Sequence, residues 1–214
     1  VIFICSSLSY NTLGKYDPTT DTFTNLSSNV SSFSGLVEYL TYDPFNRLIF
    51  FGSTSVSRFG QYNPQTDVFT NRNPAVSYSL SYLAYDSIKH LVFYGSGSSD
   101  NTFGYFDPAT NTFTNLSSKV SSFGGRVQYL TYDSFNHLVF FGSNTAGKLG
   151  RYDPAADTFT DLSSKITAFG AAVQYPAHDS RSHKLFFGSL TSNKLATYDP
   201  SLSNVTDNLL FFDE

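Results

Sequence analysis

With 214 residues, a hydrophobic share of 40%, a charged share of 14% and a net charge of −4, the chain has enough apolar material for one sizeable core. The 13 Lys and Arg are scattered without a run, which argues against nucleic acid as a partner, since phosphate binding needs a basic stripe. The apolar runs are too short for a membrane span, and the lone Cys5 excludes both an internal disulfide and a zinc site built on cysteines.

From the start, Val1-Ile2-Phe3-Ile4-Cys5-Ser6 reads as a strand apolar on both faces. A polar stretch leads to Tyr16, and Asp17-Pro18 predicts a tight turn, because Pro presets φ and Asp can cap the turn through its carboxylate. Thr22-Phe23-Thr24 alternates, as an outer edge strand with one wet face should. After a Ser-rich connection, Tyr39 to Asp43 and Leu48 to Gly52 predict two strands joined by a short polar tip, hence an antiparallel hairpin. At Tyr62-Asn63-Pro64 the series begins again. The corner recurs at Phe106-Asp107-Pro108, Tyr152-Asp153-Pro154 and Tyr198-Asp199-Pro200, at steps of about 46 residues.

A period in the forties with four strand signals in each unit is the pattern of propeller blades. The second strand of each unit (Leu48-Ile49-Phe50-Phe51, Leu91-Val92-Phe93-Tyr94, Leu138-Val139-Phe140-Phe141, Leu185-Phe186-Phe187) does not alternate, so it must be covered on both sides. Radial stacking of sheets does that. The expected fold is all-β, a single domain over 1–214: a five-bladed propeller of four-stranded antiparallel blades, its ring closed by pairing of the N- and C-terminal strands, with Leu209 to Asp213 completing the first blade. That closing strand follows the last outer strand, near Val205, sooner than the other units allow. The absence of methionine reads as a processed form or a piece of something longer.

These residues resemble the kelch repeat, whose blades have an apolar second strand ending in paired glycines, then a tyrosine, a Tyr-Asp-Pro-like turn and a Trp near the fourth strand. The resemblance covers essentially the whole chain. Gly52-Ser53, Gly95-Ser96, Gly142-Ser143 and Gly188-Ser189 stand where that family has Gly-Gly, and Phe stands where it has Trp, so the chain reads as a divergent kelch-like propeller. The family spans partner binding and copper-dependent oxidation, so the resemblance implies no single activity.

Candidate chemistry is sparse. His90 and His137 fall at hairpin tips, His183 in a turn, and His178 takes the place of Tyr42, Tyr85 and Tyr132, which reads as a packed aromatic substitute. No metal-ligand spacing occurs among them, so no metal or other cofactor is expected and the chain is read as a non-enzyme. Glu38, Ser81, Gln128 and Gln174 align at the start of the inner strands and should ring one mouth of the central channel. That ring is either solvated lining or, with nearby Arg126, a small-ligand site. The longer connections share one face and are rich in amides and hydroxyls, including Asn11, Arg58, Asn101, Asn144 and Asn193, which suit glycan hydroxyls or a protein partner. The units Tyr16 to Gln61 and Phe106 to Arg151 agree at about 29 of 46 positions, loops included, which suits repeated presentation of equivalent surfaces. Sequons at Asn25, Asn29, Asn115 and Asn204 point to a secreted, extracellular glycoprotein. The expected function is therefore a glycan- or protein-binding module, with a structural subunit of a surface assembly, using self-assembly, as the alternative.

Overall fold

In the computed structural model, residues 1–6, 11–54, 57–72, 80–96, 101–190 and 192–201 are described. The strand signals become antiparallel meanders in chain order. β1 (Ile2–Cys5), β2 (Leu13–Asp17) and β3 (Thr22–Asn25) form a three-stranded sheet. β4 (Glu38–Asp43), β5 (Leu48–Gly52), β6 (Phe59–Asn63) and β7 (Val68–Asn71) form a four-stranded one. β8 (Leu83–Asp86), β9 (Leu91–Gly95), β10 (Phe103–Asp107) and β11 (Thr112–Asn115) repeat it. The next unit is β12 (Gln128–Asp133), β13 (Leu138–Ala146), β14 (Leu149–Asp153) and β15 (Thr158–Asp161), followed by β16 (Ala172–Asp179), β17 (Lys184–Ser189) and β18 (Lys194–Tyr198). The expected closing strand at Leu209 to Asp213 lies outside the described residues.

The corners and tips have a shared stereochemistry. Asp21, Asp67, Asn111 and Asp157 end the outer corners with φ of 52°, 59°, 56° and 53°, and Arg47, His90, His137 and His183 end the inner tips with φ of 57–59°. Asp and Asn tolerate this left-handed region better than other side chains. The histidines at the tips therefore occupy turn positions, as their alignment with Arg47 predicts.

Packing follows from the second strand. Ile49 and Phe51 point to the preceding sheet and its connection, where they meet Leu13, Val30 and Phe33, while Phe50, with Phe59 of its own sheet, points to the following unit, where it meets Leu80 and Val92. All of these are buried. Fully burying each such side chain contributes about 1.5–3 kcal/mol, so the junctions between sheets carry most of the core energy.

Three described connections, after β3, β11 and β15, depart from expectation. They read as polar loops but enter the core through Leu26, Val30, Phe33 and Val37, then Leu116, Val120, Phe123 and Val127, then Leu162, Ile166, Phe169 and Val173. Short 3-10 turns (Ser31–Phe33, Ser117–Phe123, Ser163–Phe169) turn these residues inward, and each stops at a left-handed residue, Ser34, Gly124 or Gly170. The near-identity of these connections is thus explained by packing, not by presentation of equivalent surfaces.

A second departure is β13, which runs on through Ala146 where a loop from Ser143 is expected. Ser143 and Ala146 pair with Val173 and Ala172 of β16, so a neighbouring edge takes up backbone groups that a loop would leave to water. The strand stops at Gly147, at φ 66°.

Candidate functional site

The inner strands begin with a deliberate irregularity. Their register shifts between Glu38 and Thr41, between Gln128 and Thr131, and between Gln174 and Ala177. Within each bulge a tyrosine is left-handed: Tyr39 at φ 49°, Tyr129 at 51°, Tyr175 at 49°. A bulky residue in that region costs on the order of 1–3 kcal/mol and re-aims its side chain. Here the rings are brought side by side. Tyr39 and Tyr82 lie 4.2 Å apart between ring centroids, Tyr82 and Tyr129 4.6 Å, Tyr129 and Tyr175 4.9 Å, all tilted by 50–58°. With Leu40, Leu83, Leu130 and Pro176 they line an axial cavity of about 200 Å³. Burial is the main cause that raises the phenol pKa values of Tyr39, Tyr82 and Tyr175 above the ordinary value, so these hydroxyls are neutral donors at physiological pH.

The residue before each left-handed tyrosine is the expected polar ring, and its role is specific. The Glu38 carboxylate accepts from the Thr54 N–H at 2.8 Å and the Thr54 hydroxyl at 2.5 Å. Gln128 Oε1 accepts from the Asn144 N–H at 3.0 Å, and Gln174 Oε1 from the Leu190 N–H at 2.8 Å. All three side chains are buried. Glu38 and Gln174 therefore clamp the chain just past the second strand of their own units, and Gln128 clamps the extension of β13. Ser81 is too short for this; its hydroxyl donates to Ser53 O, and Tyr82 beside it keeps an ordinary φ.

Between the last two inner strands these clamps join into one network. Asn144 Oδ1 accepts from the Tyr129 hydroxyl at 2.8 Å and from Gln174 Nε2 at 2.6 Å, while Gln174 Nε2 also lies 3.3 Å from the Tyr129 hydroxyl. Gln128 and Gln174 of the polar ring are thus brought together with Asn144, which the sequence places only among the residues of the longer connections. Glu38 serves a separate clamp. Arg126 is exposed and Asn101 half-buried. Asn25 and Asn115 are exposed at the ends of the outer strands, Asn29 is half-buried just beyond one of them, and Asn204 lies outside the described residues.

The tyrosines are the functional candidates that sequence reasoning missed. The available signal was a Tyr at the same position in four units, directly after the polar ring. Apolar side chains were also missed at the opposite, tight-turn end, where exposed Phe45 stacks on His90 at 4.0 Å and exposed Phe135 on His183 at 3.7 Å.

His178 shows what its substitution for tyrosine does. The Tyr85 hydroxyl lies 2.8 Å from His90 Nδ1 and the Tyr132 hydroxyl 3.4 Å from His137 Nδ1, each at the tip of its own unit. Burial first, and then the Asp43 and Asp86 carboxylates of the preceding units, raise the two phenol pKa values. His178 places Nε2 3.0 Å from Asp133 Oδ1, both side chains buried, in a contact whose angle is poor for a hydrogen bond. It is buried in place of the aromatic ring, as expected, and in addition touches the neighbouring unit.

No protein-family model and no curated protein sequence matches the chain. Solved structures of β-propeller type do. The virginiamycin B lyase of Staphylococcus aureus, in a catalytically inactive variant with quinupristin, is similar over 91% of this chain and 61% of its own, at 16% identity and a TM-score of 0.72. A selenomethionine form of the same lyase is similar over 87% of this chain and 59% of its own, at 15% identity and a TM-score of 0.70. A chain of a nidogen/laminin complex is similar over 89% of this chain and 72% of its own, at 10% identity and a TM-score of 0.67. The chain thus spans about three fifths of the lyase chains it matches. At these identities the likeness is one of fold, and the fold is of β-propeller type.

Proposed function

We propose that the chain is a non-enzymatic, extracellular binding module, a kelch-like propeller of five units whose inner edge on the long-loop side recognises a glycan or a protein partner. The observation that carries this reading is the mouth at Tyr129, Asn144, Gln174 and Tyr175. There an exposed amide and a ring that is 56% exposed are held in fixed positions by buried hydrogen-bonded partners. Preorganised aromatic faces with adjacent amides suit sugar rings and their hydroxyls, and equally a polar protein loop. In this reading Glu38, Gln128 and Gln174 shape the loops, and Asn144, Asn101 and Arg126 offer the contacts. Glycans at Asn25, Asn29, Asn115 and Asn204 would decorate the outer rim and leave the mouth open. The nidogen/laminin structure is of a protein complex by name, which supports a protein partner.

A glycan array probed with the protein, followed by titration of any hit, tests the reading. Tyr175→Ala should weaken binding about tenfold or more with little change in melting temperature. Asn144→Ala should weaken it as much while also lowering the melting temperature, since it leaves the Tyr129 hydroxyl and Gln174 amide short of an acceptor. Binding that is indifferent to both variants would remove the mouth from the proposal. Turnover of any substrate that Glu38→Gln abolishes would replace it with an enzyme.

A further inference from the structure

A cavity of about 310 Å³ lies in the cleft between the units β8–β11 and β12–β15, at the tight-turn end and so opposite the mouth. Both units have all four strands, so neither end of the chain shapes it. Its lining is mostly apolar: Leu91, Phe93 and Leu116, with the rings of Tyr105 and Tyr152. The polar groups are Lys89, from the inner tip of one unit, and Pro154 O and Asp157, from the outer corner of the next.

The preceding junction holds the same cleft in a filled form. Arg72 N donates to Phe59 O as Leu116 N donates to Phe103 O, each at 2.8 Å, and Gln61 pairs with Thr70 as Tyr105 pairs with Thr114. Arg72 and Gln61 are thus the counterparts of Leu116 and Tyr105, and Asn111 is that of Asp157, each ending an outer corner with a left-handed φ. There the Arg72 side chain crosses the cleft, its Nε donating to Gln61 Oε1 at 3.1 Å and its Nη1 to Asn111 Oδ1 at 2.9 Å. Leu116 is too short to do this, and the space between Tyr105 and Asp157 stays open.

The charges around the open cleft decide what suits it. Asp157, which would attract a cation, has both oxygens occupied, by Lys119 Nζ and by the Tyr152 hydroxyl, each at 2.6 Å. The exposed Lys89 ammonium donates to Pro154 O and keeps two further N–H groups. Tyr105 adds a hydroxyl that has no hydrogen-bond partner among the described residues. Lys89 and Lys119 against Asp157 leave the cleft with one positive charge in excess, so a second cation is repelled and an anion attracted.

We propose that this cleft is a binding site for a small aromatic carboxylate. The carboxylate accepts from Lys89 Nζ and the Tyr105 hydroxyl, and the ring packs on Leu91, Phe93 and Leu116 in the space that Arg72 fills one junction earlier. The volume is at the lower end of the range for ligand sites, which suits a ligand with a single ring. The site is separate from the mouth, and its occupancy does not depend on what the mouth recognises.

An NMR titration of the protein with phenylpropionate tests it. One equivalent should bind, while phenylpropionamide, nearly the same in shape but neutral, and phenethylammonium, which is positive, should each bind about tenfold more weakly or worse. Lys89→Gln should weaken phenylpropionate binding about tenfold, and Leu116→Arg should abolish it by filling the cleft as Arg72 does. Leu116 is buried, so if Leu116→Arg loses its far-UV circular dichroism, the exposed Lys89→Gln variant and the three probes carry the test. No binding of phenylpropionate up to about 10 mM overturns the proposal. So does tighter binding of phenethylammonium, which would make Asp157 the attracting group, or binding that Lys89→Gln leaves unchanged.

Discussion

Three units use the same aspartate turn twice, once at the inner tip and once at the outer corner, and in the unit of β12–β15 the two copies share local geometry but not surroundings. At the inner tip Asp133 Oδ1 accepts from the N–H groups of Phe135 and Asn136 at 2.9 and 3.0 Å. At the outer corner Asp153 Oδ1 accepts from those of Ala155 and Ala156 at 2.8 and 3.0 Å. Asp133 is fully buried, takes a third hydrogen bond from Asn136 Nδ2 at 2.8 Å and touches His178 of the next unit. Asp153 is partly open to water. A turn motif legible in sequence thus fixes conformation in both places, while burial decides how much stability depends on it.

Replacing these two residues separates conformation from burial. Asp133→Ala removes three hydrogen bonds from donors on Phe135 and Asn136 at the exposed tip and takes away the buried carboxylate beside His178, and should cost about 2–3 kcal/mol. Asp153→Ala lets water take over its bonds and should cost about 1 kcal/mol or less. Urea unfolding of the two variants checks the difference; equal losses would mean that the corner, not the tip, ties the units together.

A second pair tests the middle of the array against its end. Gly142→Ala forces a methyl against the Val173 carbonyl, a backbone atom that moves only if two sheets separate, and should cost about 1–3 kcal/mol. Gly188→Ala has room, and in the isolated molecule its effect should stay within about 0.5 kcal/mol. Thermal unfolding at low protein concentration reads this pair. A large loss at Gly188 under those conditions would show that the end face is already covered within one molecule.

How much of this was legible depended on whether a residue's partner was local. The meanders were readable because strand, tip and corner are each set by residues adjacent in the chain, such as Asp153-Pro154 or the doubly apolar Leu138-Val139-Phe140-Phe141. The buried connections were misread although Leu116, Val120, Phe123 and Val127 are spaced four, three and four apart, a helical interval obscured by the serines between them. The polar ring at Glu38, Gln128 and Gln174 was found, but not its clamp on a backbone amide sixteen residues later, because hydrogen bonds across a hairpin leave no trace in composition. The left-handed tyrosines were hidden for the same reason: only the bulge makes them converge.

The smallest effect belongs to the outer corner, and it has a pH signature. The Lys119 ammonium reaches Asp157 Oδ2 at 2.6 Å, while the Tyr152 hydroxyl donates to Asp157 Oδ1 at 2.6 Å. The lysine first, and the tyrosine second, hold the Asp157 carboxyl below the usual carboxylate range. A lowered folded-state pKa contributes stability that is present above the ordinary carboxylate pKa and lost as pH falls through the folded value. Both partners are well exposed, so the pair is screened by salt and its contribution is slight. Lys119→Ala should therefore lower the melting temperature marginally at neutral pH and low salt, and that difference should vanish both in high salt and below the carboxylate range. At the inner tip the loss caused by Asp133→Ala should persist in high salt, since it comes from the hydrogen bonds of a buried carboxylate that ions do not reach. If salt erased both differences equally, burial could not be what distinguishes the two aspartate turns.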